Sequence, residues 1–215
     1  MEDLTDNERE EQLRRWWSDN WAWIIGGVAL GLALLAGWQY WQRQKLQSAE
    51  QDEAGYVAVV EALDRGQRGE AARQATELRA RRPDSAYADL ADLVLARAAV
   101  DAGQLDEAAR SLKNVADGSR DPELRLVAQV RMARVLVEQG KFDDALALLD
   151  VAKAGDFAPL FQDVRGDALN AKGDATGARK AYEAALAAGE NSGIDRELVE
   201  LKRDALPAAT GAPAK

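Results

Sequence analysis

GDALNAKGDATGARKAYEAAL, residues 166–186, reads as two helices joined by one glycine. Gly173 follows an apolar-periodic segment, and glycine is the residue best suited to the left-handed position that closes a helix. Seven positions before it stands Gly166 and five after it Ala178. Small residues at those places let two helices pack closely. The stretch therefore predicts helix, tight turn, helix.

The same register recurs upstream in GQRGEAARQA from Gly66, GQLDEAARSL from Gly103 and GKFDDALALL from Gly140. Successive glycines lie 37, 37 and 33 residues apart. Ala71, Ala108 and Ala145 repeat the position of Ala178, and Val59, Ala96 and Ala133 repeat that of Gly166. Pro83, Pro122 and Pro159 fall where one hairpin should end and the next begin, because proline fits the first turn of a helix and interrupts its interior. In ELRLVAQVRMARVLVEQ the residues Leu124, Val127, Ala128, Val130, Ala133, Val135, Leu136 and Val137 form a wide apolar face opposite Arg125, Arg131, Arg134 and Glu138. Alternating strand patterns are lacking. The reading is an all-α solenoid of about four hairpins over residues 42–206, stacked because one hairpin cannot bury its apolar face alone. DRELVELKRDAL offers Leu198, Val199, Leu201 and Leu206 as a helix capping the last repeat. Residues 207–215 have no burial pattern and are expected to be a flexible tail.

Ahead of the repeats lies WAWIIGGVALGLALLAGWQYW, residues 21–41. No charged residue occurs between Asp19 and Arg43, which gives the length a spanning helix needs, about 20 residues. A soluble core helix would show a polar stripe. A cleaved export signal would have a shorter apolar run, with small residues and no aromatics at its end. All six tryptophans (Trp16, Trp17, Trp21, Trp23, Trp38 and Trp41) lie at the two ends of this run, as interfacial belts do. Residues 21–41 are read as a single transmembrane helix bounded by Trp21 and Trp23 on one side and Trp38 and Trp41 on the other. Within it Gly27 and Gly31 form a GxxxG, which reads either as a docking face for another membrane helix or as the ordinary composition of such helices. Residues 1–20, with seven acids against three arginines, form a short acidic tail expected to be flexible in isolation. Arg9, Arg14 and Arg15 stand against Arg43 and Lys45, so basic residues favour a cytoplasmic N-terminus by three to two.

Composition restricts the chemistry. The chain has no cysteine and no histidine, which removes thiolate and imidazole metal sites, cysteine nucleophiles, histidine triads and disulfides. A net charge of −9 opposes nucleic-acid binding through a broad basic surface. Asp143 and Asp144 follow the Gly140 turn, where acids favour a helix N-terminus. Glu107 and Glu183 read as solvated helix faces, and no strand precedes Gly66 and Gly69 to make them a phosphate loop. Tyr56, Tyr87, Phe142, Phe157, Phe161 and Tyr182 are read as packing residues before a peptide-gripping groove. No catalytic, cofactor or metal site is expected, and the chain is read as a non-enzymatic protein.

The repeats resemble the tetratricopeptide repeat family. Gly166, Gly173, Ala178, Tyr182 and Ala185 match the core of that repeat, and Pro83 falls where the first copy should end. The early aromatic of the first helix is missing, two spacings exceed the usual length of about 34, and the later prolines fall two positions late. With the acidic tail, the Trp-flanked helix and the alanine-rich repeats in one order, the whole chain is similar to the ancillary SecYEG translocon subunit family. That resemblance implies an inner-membrane helix with the N-terminus cytoplasmic and a periplasmic repeat domain. The implied partners are the SecYEG translocon, the periplasmic chaperone PpiD and emerging polypeptides. An envelope scaffold or regulator, joining a different membrane assembly or sequestering a cytoplasmic partner, is the alternative.

Overall fold

The computed structural model describes residues 6–189 and 193–207, with backbone alone at 6–9 and 12. The expected tail beyond Pro207, and residues 1–5 of the acidic tail, lie outside the described residues. Among the described residues every regular element is helical. The chain divides into two units, Met1–Gln51 and Asp52–Lys215, a division that falls ten residues beyond Trp41. The intervening QRQKLQSAEQ is largely polar and mostly exposed, so it has little to bury against a neighbour.

The first unit is helical from Asp6, within α1 (Asp6–Asp64); the last turns of α1, from Asp52, belong to the second unit. The described part of the acidic tail is helix within α1. Its Glu, Gln, Arg and Leu residues are good helix formers, and an adjoining helix removes the cost of nucleation. Arg15 and Glu11 make an exposed i,i+4 pair at 3.4 Å. One helix among the described residues is long and apolar enough to cross a membrane, and its apolar window is 0 % buried. A soluble core helix would be buried there. Residues 21–41 rise about 30 Å, the thickness of a bilayer's hydrocarbon core, about 30 Å.

The second unit stacks the end of α1 with α2 (Arg68–Arg81), α3 (Ala86–Asp101), α4 (Leu105–Gly118), α5 (Pro122–Glu138), α6 (Phe142–Leu148), α7 (Ala158–Ala171), α8 (Ala175–Leu186) and α9 (Arg196–Asp204). Four hairpins result, and one backbone device closes the first helix of each. Gly66, Gly103, Gly140 and Gly173 have φ of 72°, 72°, 74° and 91°. The next residue's N–H reaches back five positions, as in Gln67 to Ala62, Gln104 to Ala99 and Lys141 to Leu136 at 2.8 Å and Asp174 to Leu169 at 2.9 Å. That is the Schellman pattern. Ala71, Ala108, Ala145 and Ala178 are each 0 % exposed, and Val59, Ala96, Ala133 and Gly166 are buried opposite them. At Gly166 an added Cβ would run into the Tyr182 ring, so this crossing demands glycine.

The core follows the stacking. Each layer joins a hairpin to the next helix: Ala62, Leu78 and Ala91 in the first, Ala99, Leu112 and Val135 in the second, Leu136, Leu149 and Val164 in the third. Pro122 and Pro159 stand in the first turns of α5 and α7, while Pro83 lies in the loop before α3. The third hairpin departs from the others. Its second helix stops at Leu148, and two 3-10 turns, Val151–Lys153 and Gly155–Phe157, complete the repeat. Asp150 accepts from the N–H of Ala152, a local bond that competes with helix continuation, and Gly155 turns the chain at φ 53°. The last element, α9, buries Val199, and Leu206 just past its end is buried too, but Leu198 and Leu201 stand at 48 % and 63 % exposure, contrary to the expectation that all four cap the stack. Its inner face is narrow, since a lysine takes the place of a further apolar residue.

Candidate interaction surfaces

In the first unit the large apolar side chains of residues 21–41 point outward. Trp21, Trp23, Trp38 and Trp41 are all about half exposed or more. The rings of Trp38 and Trp41 lie 5.4 Å apart, and Lys45 Nζ sits 4.0 Å from the Trp41 ring centroid. An indole pair beside a lysine suits the headgroup level, where the ammonium reaches water and the rings remain in apolar surroundings. Gly27 and Gly31 share one helix face, and a Cβ added at either would meet nothing within 4 Å. The face is bare backbone, open to close approach.

In the second unit a groove of about 400 Å³ runs between α2 and α4 over α3. Leu63, Leu95 and Ala99 contribute its apolar surface, and Arg68, Arg110 and Lys113 supply cations. Glu107, expected only as a solvated face, is exposed and lines this groove. Beside it a wider opening of about 710 Å³ lies over Gly103–Glu107, Arg110, Gln139 and Lys141. There Gln139 Nε2 donates to Asp106 at 2.9 Å. None of the six aromatics lines either opening. Phe161 and Tyr182 are each 1 % exposed, Tyr56 and Tyr87 pair at 6.1 Å half-buried, and Phe142 and Phe157 are half-buried as well. Packing is the role the structure gives them.

Two ion clusters join helices, and neither was identified from the sequence. In the first, Arg79 on α2 reaches α3, with Nη2 at 2.8 Å from Asp89 and Nε at 2.6 Å from Asp92. Burial alone would lower the Arg79 guanidinium, but hydrogen bonds and charge from the two aspartates outweigh it and hold it above its usual value. Burial pushes the Asp92 carboxyl up, and Arg79 offsets only part of that. The second cluster ties α9 to α7. Lys202 Nζ lies 2.9 Å from Asp163 and 2.8 Å from Asp167, and the Tyr182 hydroxyl donates to Asp167 at 2.8 Å. Burial raises the phenol, with the Asp167 bond and neighbouring negative charge adding to it. For Lys202 burial acts downward, and the two carboxylates overcome it. A legible sign existed for the first alone: Asp92 interrupts the apolar run LADLVL.

These carboxylates are held by cations. Asp143, in the first turn of α6, accepts from Lys172, and Asp144 and Glu183 are exposed. Among the described residues no group of histidine, cysteine or acidic side chains could hold a metal ion. What the second unit presents is two openings with charged rims.

Comparison with known proteins follows the same outline. The family described as tetratricopeptide repeat-like domain matches residues 14–208, so it takes in the apolar helix together with the repeats. The ancillary SecYEG translocon subunit of Escherichia coli (strain K12) is 33 % identical over 181 residues, 84 % of this chain and 87 % of that protein. The protein of the same description from Haemophilus influenzae is 26 % identical over 69 residues, 32 % of this chain and 34 % of that one. No solved structure matches the chain.

Proposed function

The chain belongs to the tetratricopeptide repeat-like family and to the family of ancillary SecYEG translocon subunits, and we propose that it is a non-enzymatic, membrane-anchored interaction protein of the Sec export machinery. Residues 21–41 cross the inner membrane once. The N-terminus is cytoplasmic and the repeat domain periplasmic, in line with three arginines against two basic residues across the span. The anchor lies beside the translocon, with Gly27 and Gly31 turned to a channel helix. The repeat domain meets a periplasmic chaperone such as PpiD and polypeptides leaving the channel.

The observation that carries this reading is the breadth of the likeness. A relative named for the SecYEG translocon shares 33 % identity over 84 % of the chain. The geometry supports it in two ways. A stacked helical domain exposes extended surface to protein partners, and lipid-facing glycines allow the close backbone approach by which membrane helices associate. Confinement to one membrane then raises the effective concentration of anchored partners without an added contact.

The test replaces Gly27 and Gly31 together by leucine in the full chain. The variant should insert and accumulate as before, since leucine suits the bilayer core, but translocon recovered with it from gently solubilised membranes should fall about tenfold. Unchanged recovery would remove the glycine face from the reading.

A further inference from the structure

We propose that α9 is a displaceable latch, occupying a docking groove on α7 and α8 that also accepts a partner's short amphipathic helix bearing an apolar residue and, three positions later, a lysine. Val199 and Lys202 have that spacing in α9 itself. Val199 enters a floor made by Ala178, Tyr182 and Ala185, while Lys202 bridges the carboxylates of Asp163 and Asp167. The groove thus has an apolar floor and a wall of two carboxylates, of which Asp163 also meets Arg134 of α5 at 3.5 Å, and the pair of carboxylates is what selects a cationic helix.

The way α9 is held makes it removable. Of its side chains only Val199 is fully buried, with Leu206 just beyond its end. The remaining ties are polar. Arg179 donates to the carbonyls of Leu206 and Pro207, each at 3.2 Å, Arg196 donates to that of Ala188 at 2.8 Å, and the Lys202 side chain is 26 % exposed. By contrast, the partners beneath are anchored by Phe161, Val164 and Tyr182, each at most 1 % exposed. An element with few buried apolar contacts opens at lower free energy than its neighbours. Helix-in-groove recognition needs such a floor and such anchors. The inference does not depend on which assembly the protein serves, because the chain supplies its own ligand.

The experiment is amide hydrogen exchange on the full chain in detergent micelles, with a labelled peptide of residues 195–207 as the probe. Amides of residues 199–204 should exchange roughly 10 to 100 times faster than those of α7 and α8. Lys202→Gln should speed them about tenfold further while α3 and α4 keep their protection. The peptide should bind the Lys202→Gln chain about tenfold more tightly than the unaltered chain, whose groove is filled, and a peptide with glutamine at the lysine position should not bind. Exchange in α9 that matches α7 and α8 would overturn the proposal, as would loss of protection throughout the second unit in Lys202→Gln. So would failure of the peptide to bind either chain.

Discussion

Gly140 and Gly166 are both glycines for reasons a substitution can separate. Gly140 sits at φ 74° with open space around it, so the cost of a side chain there is backbone strain alone. Gly140→Ala should lower stability by about 1 kcal/mol in urea unfolding, whereas Gly69→Ala, in the first turn of α2 and equally uncrowded, should be neutral or stabilising by up to about 0.5 kcal/mol. Gly166 fails for a different reason, collision with the Tyr182 ring. Gly166→Ala should cost about 1–3 kcal/mol, and the cost should shrink when Tyr182 is replaced by leucine in the same chain, a coupling that a double-mutant cycle measures. Arg79 carries the largest single expectation. Its removal leaves Asp89 and Asp92 buried without a cation, and Arg79→Ala should cost about 3–5 kcal/mol. A loss below about 1 kcal/mol, the range of surface pairs, would show that the cluster is solvated.

Among elements, α8 and α9 carry a pH signature. The Tyr182 phenol is raised in the folded protein, chiefly by burial and then by Asp167. A raised acid binds its proton more tightly folded than unfolded. The stability it contributes is therefore complete below the ordinary tyrosine value of about 10 and is lost as pH rises above it. Lys202, also raised, adds a loss of the same sign above the ordinary lysine value. Melting temperatures of the unaltered chain should thus fall more steeply between about pH 9 and 11 than those of Tyr182→Phe. Parallel curves would deny the buried phenol its role. The same elements show what the sequence can disclose. The Gly66, Gly103, Gly140 and Gly173 turns were legible because each is a local backbone demand that only glycine meets without strain. The Lys202 cluster was not, since its partners lie 39 and 35 residues away and no local pattern requires them. Nor does periodicity reveal which side of a short amphipathic helix meets the stack, and so Leu198 and Leu201 were assigned to a face that the structure leaves exposed. The early end of α6 rests on Asp150 and Gly155, whose effect on the repeat depends on how Leu149 and Ala154 are buried around them.

At the scale of the whole molecule the two units make separable claims. The chain has no cysteine, so a single one introduced by substitution reports its own position without background. Cysteine at Lys113, exposed on α4, should be modified by an impermeant reagent from the outer face of the inner membrane, and cysteine at Glu10 should not. Sides exchanged would reverse the orientation and remove the periplasmic chaperone from reach. The association itself is tested most directly by affinity capture of the full chain, tagged beyond Lys215, from gently solubilised membranes of its own cell, followed by identification of what comes with it. Capture should recover the SecYEG translocon well above the level obtained with an unrelated single-pass membrane protein of similar abundance. Recovery of a different membrane assembly, with translocon only at that background level, would contradict the Sec reading even if every helix lay where it is described.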